Sequence, residues 1–156
     1  FEDKLKSFLI LSLISILNEY LYDEEKIGGL FISVNKLINS ININNDWLYQ
    51  YFDWLLHFLK LLGYEIDYIS NYNIKYFNLN SLRFQENSLD NFSILFPHKL
   101  FKKNRIITYE SVNSLFKIFE SVFEKNHLNK FNNKMPLNYL NFKTIILKKL
   151  NKRSYE

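Results

Sequence analysis

Apolar residues recur at every third or fourth position through the first 62 residues, which is the spacing of amphipathic helices. This pattern predicts helices over residues 2–21, 30–39 and 47–62. Asp46 stands where the third helix begins, and aspartate is a favoured N-cap residue. Gly63 stands where it ends, and glycine enters the left-handed conformation beyond a helix without strain. The first part of the chain is therefore predicted to form three helices joined by short loops.

Alternating β-branched and aromatic residues interrupt the helical spacing in the middle of the chain. They predict a small β-hairpin that pairs residues 74–78 with 82–86, within an insertion of about residues 70–90. Helical spacing returns over residues 109–126 and 136–150. We therefore expect the whole chain to form one domain of the mostly α class, a helical domain of about five helices with a small inserted β-hairpin.

The predicted helix 47–62 carries apolar residues around most of its circumference. Its polar residues, which include Asp53, His57 and Lys60, fall on one narrow stripe. We therefore expect this helix to be central, with neighbours on nearly all sides and one edge in water. The apolar run at 8–17 is about half the roughly 20 residues that cross a bilayer, so no membrane partner is expected.

Asp53 and His57 stand four residues apart, where a carboxylate and an imidazole on a helix can meet. Such a pair serves as a general base or a metal site in some proteins, but no third partner is evident in the sequence. We therefore predict a structural pair, and we expect the other two histidines, His98 and His127, to be surface residues. The chain has no cysteine and no recognisable catalytic motif. The sequence predicts no cofactor and no metal.

Charge is distributed unevenly along the chain. Residues 1–96 have a net charge of −5, whereas residues 97–156 have a net charge of +9. A basic C-terminal third indicates an anionic partner, although lysines that only meet solvent would give the same count.

Five stretches, taken in order, resemble the C-terminal helical domain of the bacterial DNA repair family RecO. They are LNEYLYDEEKIGGLF (17–31), YFDWLLHFLKLLGYEIDY (51–68), IKYFNLNSLRF (74–84), ILFPHKLF (94–101) and FEKNHLNKFNNKMP (123–136). The family's N-terminal OB-fold is expected to be absent from this chain. Family members often have zinc-binding cysteines near the hairpin, and this chain has none there.

The resemblance implies a non-catalytic, cytoplasmic mediator of DNA repair and recombination in the RecF pathway. Such a protein binds single-stranded DNA, contacts RecR, and helps to load the recombinase onto DNA covered by single-stranded DNA-binding protein (SSB). We expect the cations of the basic C-terminal part to contact DNA: Lys99, Lys102, Lys103, Arg105, Lys148, Lys149, Lys152 and Arg153. Phe101 or Tyr155 is expected to stack on bases.

The resemblance also implies that this domain receives the acidic C-terminal tail of SSB. We expect Tyr51, Phe52 and Leu55 to wall an apolar pocket for the terminal phenylalanine of the tail, with Lys143 as a nearby cation. Some family members have arginines where this chain has Gln50, Tyr51 and roughly Tyr139.

Two other functions remain open at this point. The chain could be a helical protein-interaction or structural domain with no nucleic-acid role. It could also be a hydrolase that uses Asp53 and His57.

Overall fold

A computed structural model describes residues 2–21, 28–43 and 46–153 of the chain. These residues form five α-helices: α1 (Glu2–Leu21), α2 (Leu30–Ile43), α3 (Trp47–Leu61), α4 (Tyr109–Asn126) and α5 (Leu137–Arg153). A small three-stranded sheet lies between α3 and α4 in the chain. The predicted fold class, mostly α with a small β insertion, is confirmed.

Most helix boundaries follow the predicted signals. Gly63 has a φ of 86°, in the left-handed region where glycine is unstrained, and it follows the end of α3 as expected. Asp46 precedes α3, but its side chain accepts no capping hydrogen bond. Helix α2 continues to Ile43, beyond the predicted end at residue 39, and it buries Ile41 in the core.

Helix α3 is the centre of the domain. Trp54 donates a hydrogen bond from Nε1 to Ser33 Oγ on α2, at 3.3 Å. The ring of Phe58 meets Phe123 on α4 with centroids 5.8 Å apart. The apolar circumference of α3 is thus covered by its neighbours, as predicted. Among the described residues, no helix is both long and apolar enough to cross a membrane.

The sheet consists of β1 (Tyr76–Asn78), β2 (Arg83–Gln85) and β3 (Ser93–Leu95), with the order β2-β1-β3 and antiparallel pairing throughout. The predicted hairpin is present as β1 and β2. The sequence did not reveal β3, which pairs with the other edge of β1.

A buried asparagine holds the sheet together. Asn78 is 2% exposed, and its Nδ2 donates to Asp90 Oδ1 at 2.9 Å. Its Oδ1 accepts hydrogen bonds from the backbone N–H groups of Asn80 and Ser81 in the turn after β1. One side chain therefore orders the hairpin turn and ties it to the loop before β3.

The two histidines expected at the surface are both packed against other groups. His127 is 3% exposed, and its ring stacks on Phe123 with centroids 5.2 Å apart. His98 is half-buried, and its Nε2 lies 2.7 Å from the carbonyl oxygen of Ile74. Both predictions of surface histidines are wrong, because ring stacking on aromatic neighbours made burial of these imidazoles favourable.

Candidate functional site

Residues 98–105, named here the basic bend, lead from the sheet to α4. They carry Lys99, Lys102, Lys103 and Arg105, and the chain has no acidic residue from position 91 to position 109. The three lysine side chains are exposed. No acidic side chain of the described residues lies within ion-pair distance of them. The bend therefore presents to solvent three positive charges that no acidic side chain in the described part of the chain neutralises.

The first half of the basic bend is held in place by apolar contacts. His98–Leu100 forms a short 3₁₀ helix, and Leu100 is fully buried. The ring of Phe101 lies 4.8 Å from the ring of Tyr68 and 6.1 Å from that of Phe96. Phe101 therefore anchors the bend, and the expectation that it stacks on bases is not supported by its packing. Tyr155 lies outside the described residues.

Arg105 holds the second half of the basic bend against α3. Its Nη1 donates to Asp53 Oδ2 at 2.7 Å, and its guanidinium lies 5.4 Å from the centre of the Tyr49 ring. The Tyr49 hydroxyl donates to the backbone oxygen of Arg105 at 3.1 Å. Because its charge is already paired, Arg105 is not a free phosphate contact, and the prediction that groups it with the exposed lysines needs correction.

The predicted pair of Asp53 and His57 is wrong. Asp53 binds Arg105, while His57 is exposed on the next turn of α3. A guanidinium carries a full charge and a rigid fork of donors, so it is the stronger partner for a carboxylate. Arg105 stands 52 positions away, and only the fold brings it to Asp53.

Burial raises the pKa of Asp53 above its ordinary value, and the hydrogen bond and charge of Arg105 lower it without cancelling that effect. A carboxyl group whose pKa is raised by folding stabilises the fold most when it is protonated, and this contribution is lost as pH rises through the folded pKa. Burial of the Asp53 carboxyl therefore opposes its ionisation, which agrees with the desolvation cost of partly buried ion pairs.

The second set of predicted DNA contacts lies on the last turns of α5. Lys148 and Lys152 are exposed, and Lys149 is half-buried. The Arg153 side chain lies outside the described residues. Ile146 and Leu150 are buried on the opposite side of α5, so the exposed lysines form the polar face of an amphipathic helix end.

The predicted pocket for the SSB tail does not exist at the expected place. Tyr51, Phe52 and Leu55 are each 0% exposed. Tyr51 packs edge-to-face on Phe142 of α5 at 5.2 Å, and Phe52 packs in the same way on Phe116 of α4 at 6.2 Å. These side chains belong to the core, because α4 and α5 cover the apolar face that was predicted to bind the peptide.

Lys143, the predicted cation of that pocket, belongs to a partly buried polar cluster. Its Nζ lies 2.6 Å from Glu120 Oε1, and the two side chains are 21% and 18% exposed. The Tyr139 hydroxyl donates to the same oxygen at 3.1 Å. Glu120 thus satisfies two donors from α5, and Lys143 is not available to a peptide.

An open groove lies between α2 and α3, on the side of α3 that faces away from Tyr51, Phe52 and Leu55. This α2/α3 groove has a volume of about 630 Å³. Its walls include Ile32, Lys36, Asp53, Trp54, His57 and Tyr68. The polar stripe of α3 was visible in the sequence. That this stripe borders a groove shared with α2 was not. The groove combines exposed apolar surface, such as Ile32 at 71% exposure, with polar and charged groups.

We expect His57→Ala to change the free energy of unfolding by at most about 1 kcal/mol, because the imidazole is exposed at the groove and does not bind Asp53. DNA binding should stay at the wild-type level. Urea denaturation and a fluorescence anisotropy titration with single-stranded DNA measure the two quantities. A large loss of DNA binding by a folded variant would contradict a purely peripheral role for His57.

Among the described residues, no group of three or more histidine, aspartate or glutamate side chains is placed to hold a metal ion. No family model, curated protein or solved structure matches the chain. Three features of the described residues are candidates for a binding function: the basic bend, the lysines of α5 and the α2/α3 groove.

Proposed function

We propose that the chain is a non-catalytic DNA-binding module of the RecO type, acting in DNA repair and recombination. The observation that carries this proposal is the basic bend, where Lys99, Lys102 and Lys103 are exposed and without an acidic partner among the described residues. The order of sequence motifs that resemble RecO supports the same conclusion. The proposed role includes contacts with RecR and SSB and places the protein in the cytoplasm.

The anchoring of the basic bend favours DNA over simple solvation of lysines. Surface lysines that only keep a protein soluble need no fixed backbone, whereas this bend is held by Leu100, Phe101 and Arg105. A backbone fixed before binding loses less conformational entropy when a ligand is bound. Phosphates are the anions most often recognised by clustered lysines, and they supply most of the affinity for a nucleic acid backbone. Lys148 and Lys152 would extend the contact to a second part of the strand.

A salt titration of the wild-type protein tests this function. If the three lysines of the bend each neutralise one phosphate, the logarithm of the association constant for single-stranded DNA should fall with the logarithm of salt concentration at a slope of roughly −2. Contacts from α5 would make the slope steeper. Fluorescence anisotropy with a labelled oligothymidine measures the slope, and a poly-glutamate competitor is the control for attraction to any polyanion. Absence of binding at low salt, or equal competition by poly-glutamate, would overturn the proposal.

The α2/α3 groove supports a second activity, binding of the acidic C-terminal tail of SSB. Lys36 supplies a positive charge for the tail, and Ile32, whose side chain is largely exposed, supplies apolar surface for its terminal phenylalanine. Burial of one phenylalanine ring contributes about 2–3 kcal/mol, and exposed charge pairs add less than about 1 kcal/mol each. After ordering costs, the expected affinity is on the micromolar scale.

Anisotropy with a labelled tail peptide tests the groove. Binding should weaken with salt, disappear when the terminal phenylalanine is deleted, and weaken in the Lys36→Glu variant. A peptide of the same composition in scrambled order is the control. Equal binding without the terminal phenylalanine would show charge attraction alone. Binding of the tail by a protein that binds no DNA would favour the alternative, a helical interaction domain without a nucleic-acid role.

A further inference from the structure

Asp53 takes part in two features that are otherwise separate. Its side chain lines the α2/α3 groove, and the same carboxylate binds Arg105 at the end of the basic bend. We propose that Asp53 is a positioning residue for DNA binding, which holds the three lysines of the bend in place through Arg105. This inference rests on the DNA-binding function proposed above.

The basic bend is a loop closed at both ends. Its beginning is anchored by Leu100, and the backbone N–H of Ile106 donates to the carbonyl oxygen of Lys99 at 3.4 Å. Lys102 and Lys103 lie inside this closure. This hydrogen bond between Ile106 and Lys99 is long. The neighbouring residue Arg105 stabilises the same end of the loop through its contacts with α3. The Arg105–Asp53 ion pair therefore fixes the far end of the lysine loop to α3, together with the hydrogen bond from the Tyr49 hydroxyl.

The pair lies at an edge of the domain where its two side chains are 30% and 34% exposed, so we expect it to add little stability. Folding raises the pKa of Asp53, mainly through burial, in spite of the adjacent guanidinium. In this proposal the pair contributes to the geometry of the bend more than to the stability of the domain. The ring of Tyr49 and its hydrogen bond to the Arg105 backbone define the same position of the arginine.

The proposal predicts a result opposite in sign to that of simple electrostatics. Asp53→Asn removes a negative charge, so a uniform charge effect would strengthen binding to DNA. Loss of positioning would instead weaken it, because the bend must then be ordered when DNA binds. Asp46→Asn is the matched control, since it makes the same chemical change on an exposed side chain at the start of α3 that makes no capping hydrogen bond.

The experiment measures single-stranded DNA affinity and its salt dependence by anisotropy, with thermal unfolding to confirm that each variant is folded. Asp53→Asn is expected to weaken binding about fivefold, which corresponds to the entropy cost of ordering about one side chain when DNA binds. The salt slope should not change. Asp46→Asn should bind as tightly as the wild type or more tightly. In an Arg105→Gln background, Asp53→Asn should cause no further loss, because the two residues act as one unit. Arg105→Lys, which keeps the charge but lacks the guanidinium fork, should weaken binding with the same slope.

Different failures lead to different conclusions. If Asp53→Asn binds as tightly as the wild type, or if its effect adds fully to that of Arg105→Gln, Asp53 does not position the bend. The DNA-binding function would still stand if reversal of Lys102 and Lys103 weakened binding. If reversal of these lysines had no effect, the proposed DNA site itself would be wrong.

Discussion

Reversal of two charges in the basic bend, Lys102→Glu with Lys103→Glu, is expected to weaken single-stranded DNA binding about 30-fold at low salt. This is roughly 2 kcal/mol, from two lost phosphate contacts and the repulsion that replaces them. Because about two counterions fewer are released, the salt slope should become less steep by roughly 1.4 units. Both lysines are exposed, so the variant should fold as the wild type does.

The matched control for this variant is Lys4→Glu with Lys117→Glu. It changes the net charge by the same amount through exposed lysines of α1 and α4. A comparable loss of affinity in the control would mean that DNA responds to total charge and not to the bend. No loss in either variant would exclude the bend from the site and leave the lysines of α5 as the remaining candidates.

Removal of the Glu120 carboxylate is expected to lower the free energy of unfolding by about 3 kcal/mol in Glu120→Ala. The substitution leaves the Lys143 ammonium and the Tyr139 hydroxyl without their shared acceptor, and both groups are largely shielded from water. Urea denaturation at neutral pH measures the change. DNA binding by the folded fraction should not change, since none of these residues lies on the basic bend.

A double variant separates the cost of an orphaned charge from the value of the ion pair. Glu120→Gln with Lys143→Met keeps an acceptor for Tyr139 and removes both charges, so it should recover most of the stability lost in Glu120→Ala. Lys60→Ala is the exposed control: its partner Glu65 lies at 2.6 Å, but the side chains are 57% and 53% exposed, and no measurable loss is expected. Equal losses from Glu120→Ala and Lys60→Ala would mean that burial does not determine the strength of these pairs.

The sequence predicted much of the helical architecture because helix formation is mainly local. The apolar spacing located all five helices of the described residues, and glycine chemistry placed the end of α3 correctly at Gly63. The hairpin of β1 and β2 was also visible, because its strands are separated by a short turn. Strand β3 was missed, since a three-residue strand across a polar loop has almost no local signal.

The candidate site could be predicted only in part. The cluster of cations at Lys99, Lys102 and Lys103 was evident from their spacing and from the absence of nearby acidic residues. Their exposure agrees with the expected interface, whereas Arg105 proved to be engaged with Asp53. A composition count treats every cation alike, and it does not distinguish a free charge from one that is paired through the fold.

What the sequence by itself determined is the set of elements and the approximate position of positive charge, because both depend on residues close together in the chain. Only the tertiary structure decided which face of α3 is core and which is open. Aromatic residues such as Tyr51 and Phe52 suit either a ligand pocket or a helix interface, and the choice depends on whether α4 and α5 pack there. The same packing brings Arg105 to Asp53 and opens the groove beside α2, since these contacts join residues that are distant in the chain.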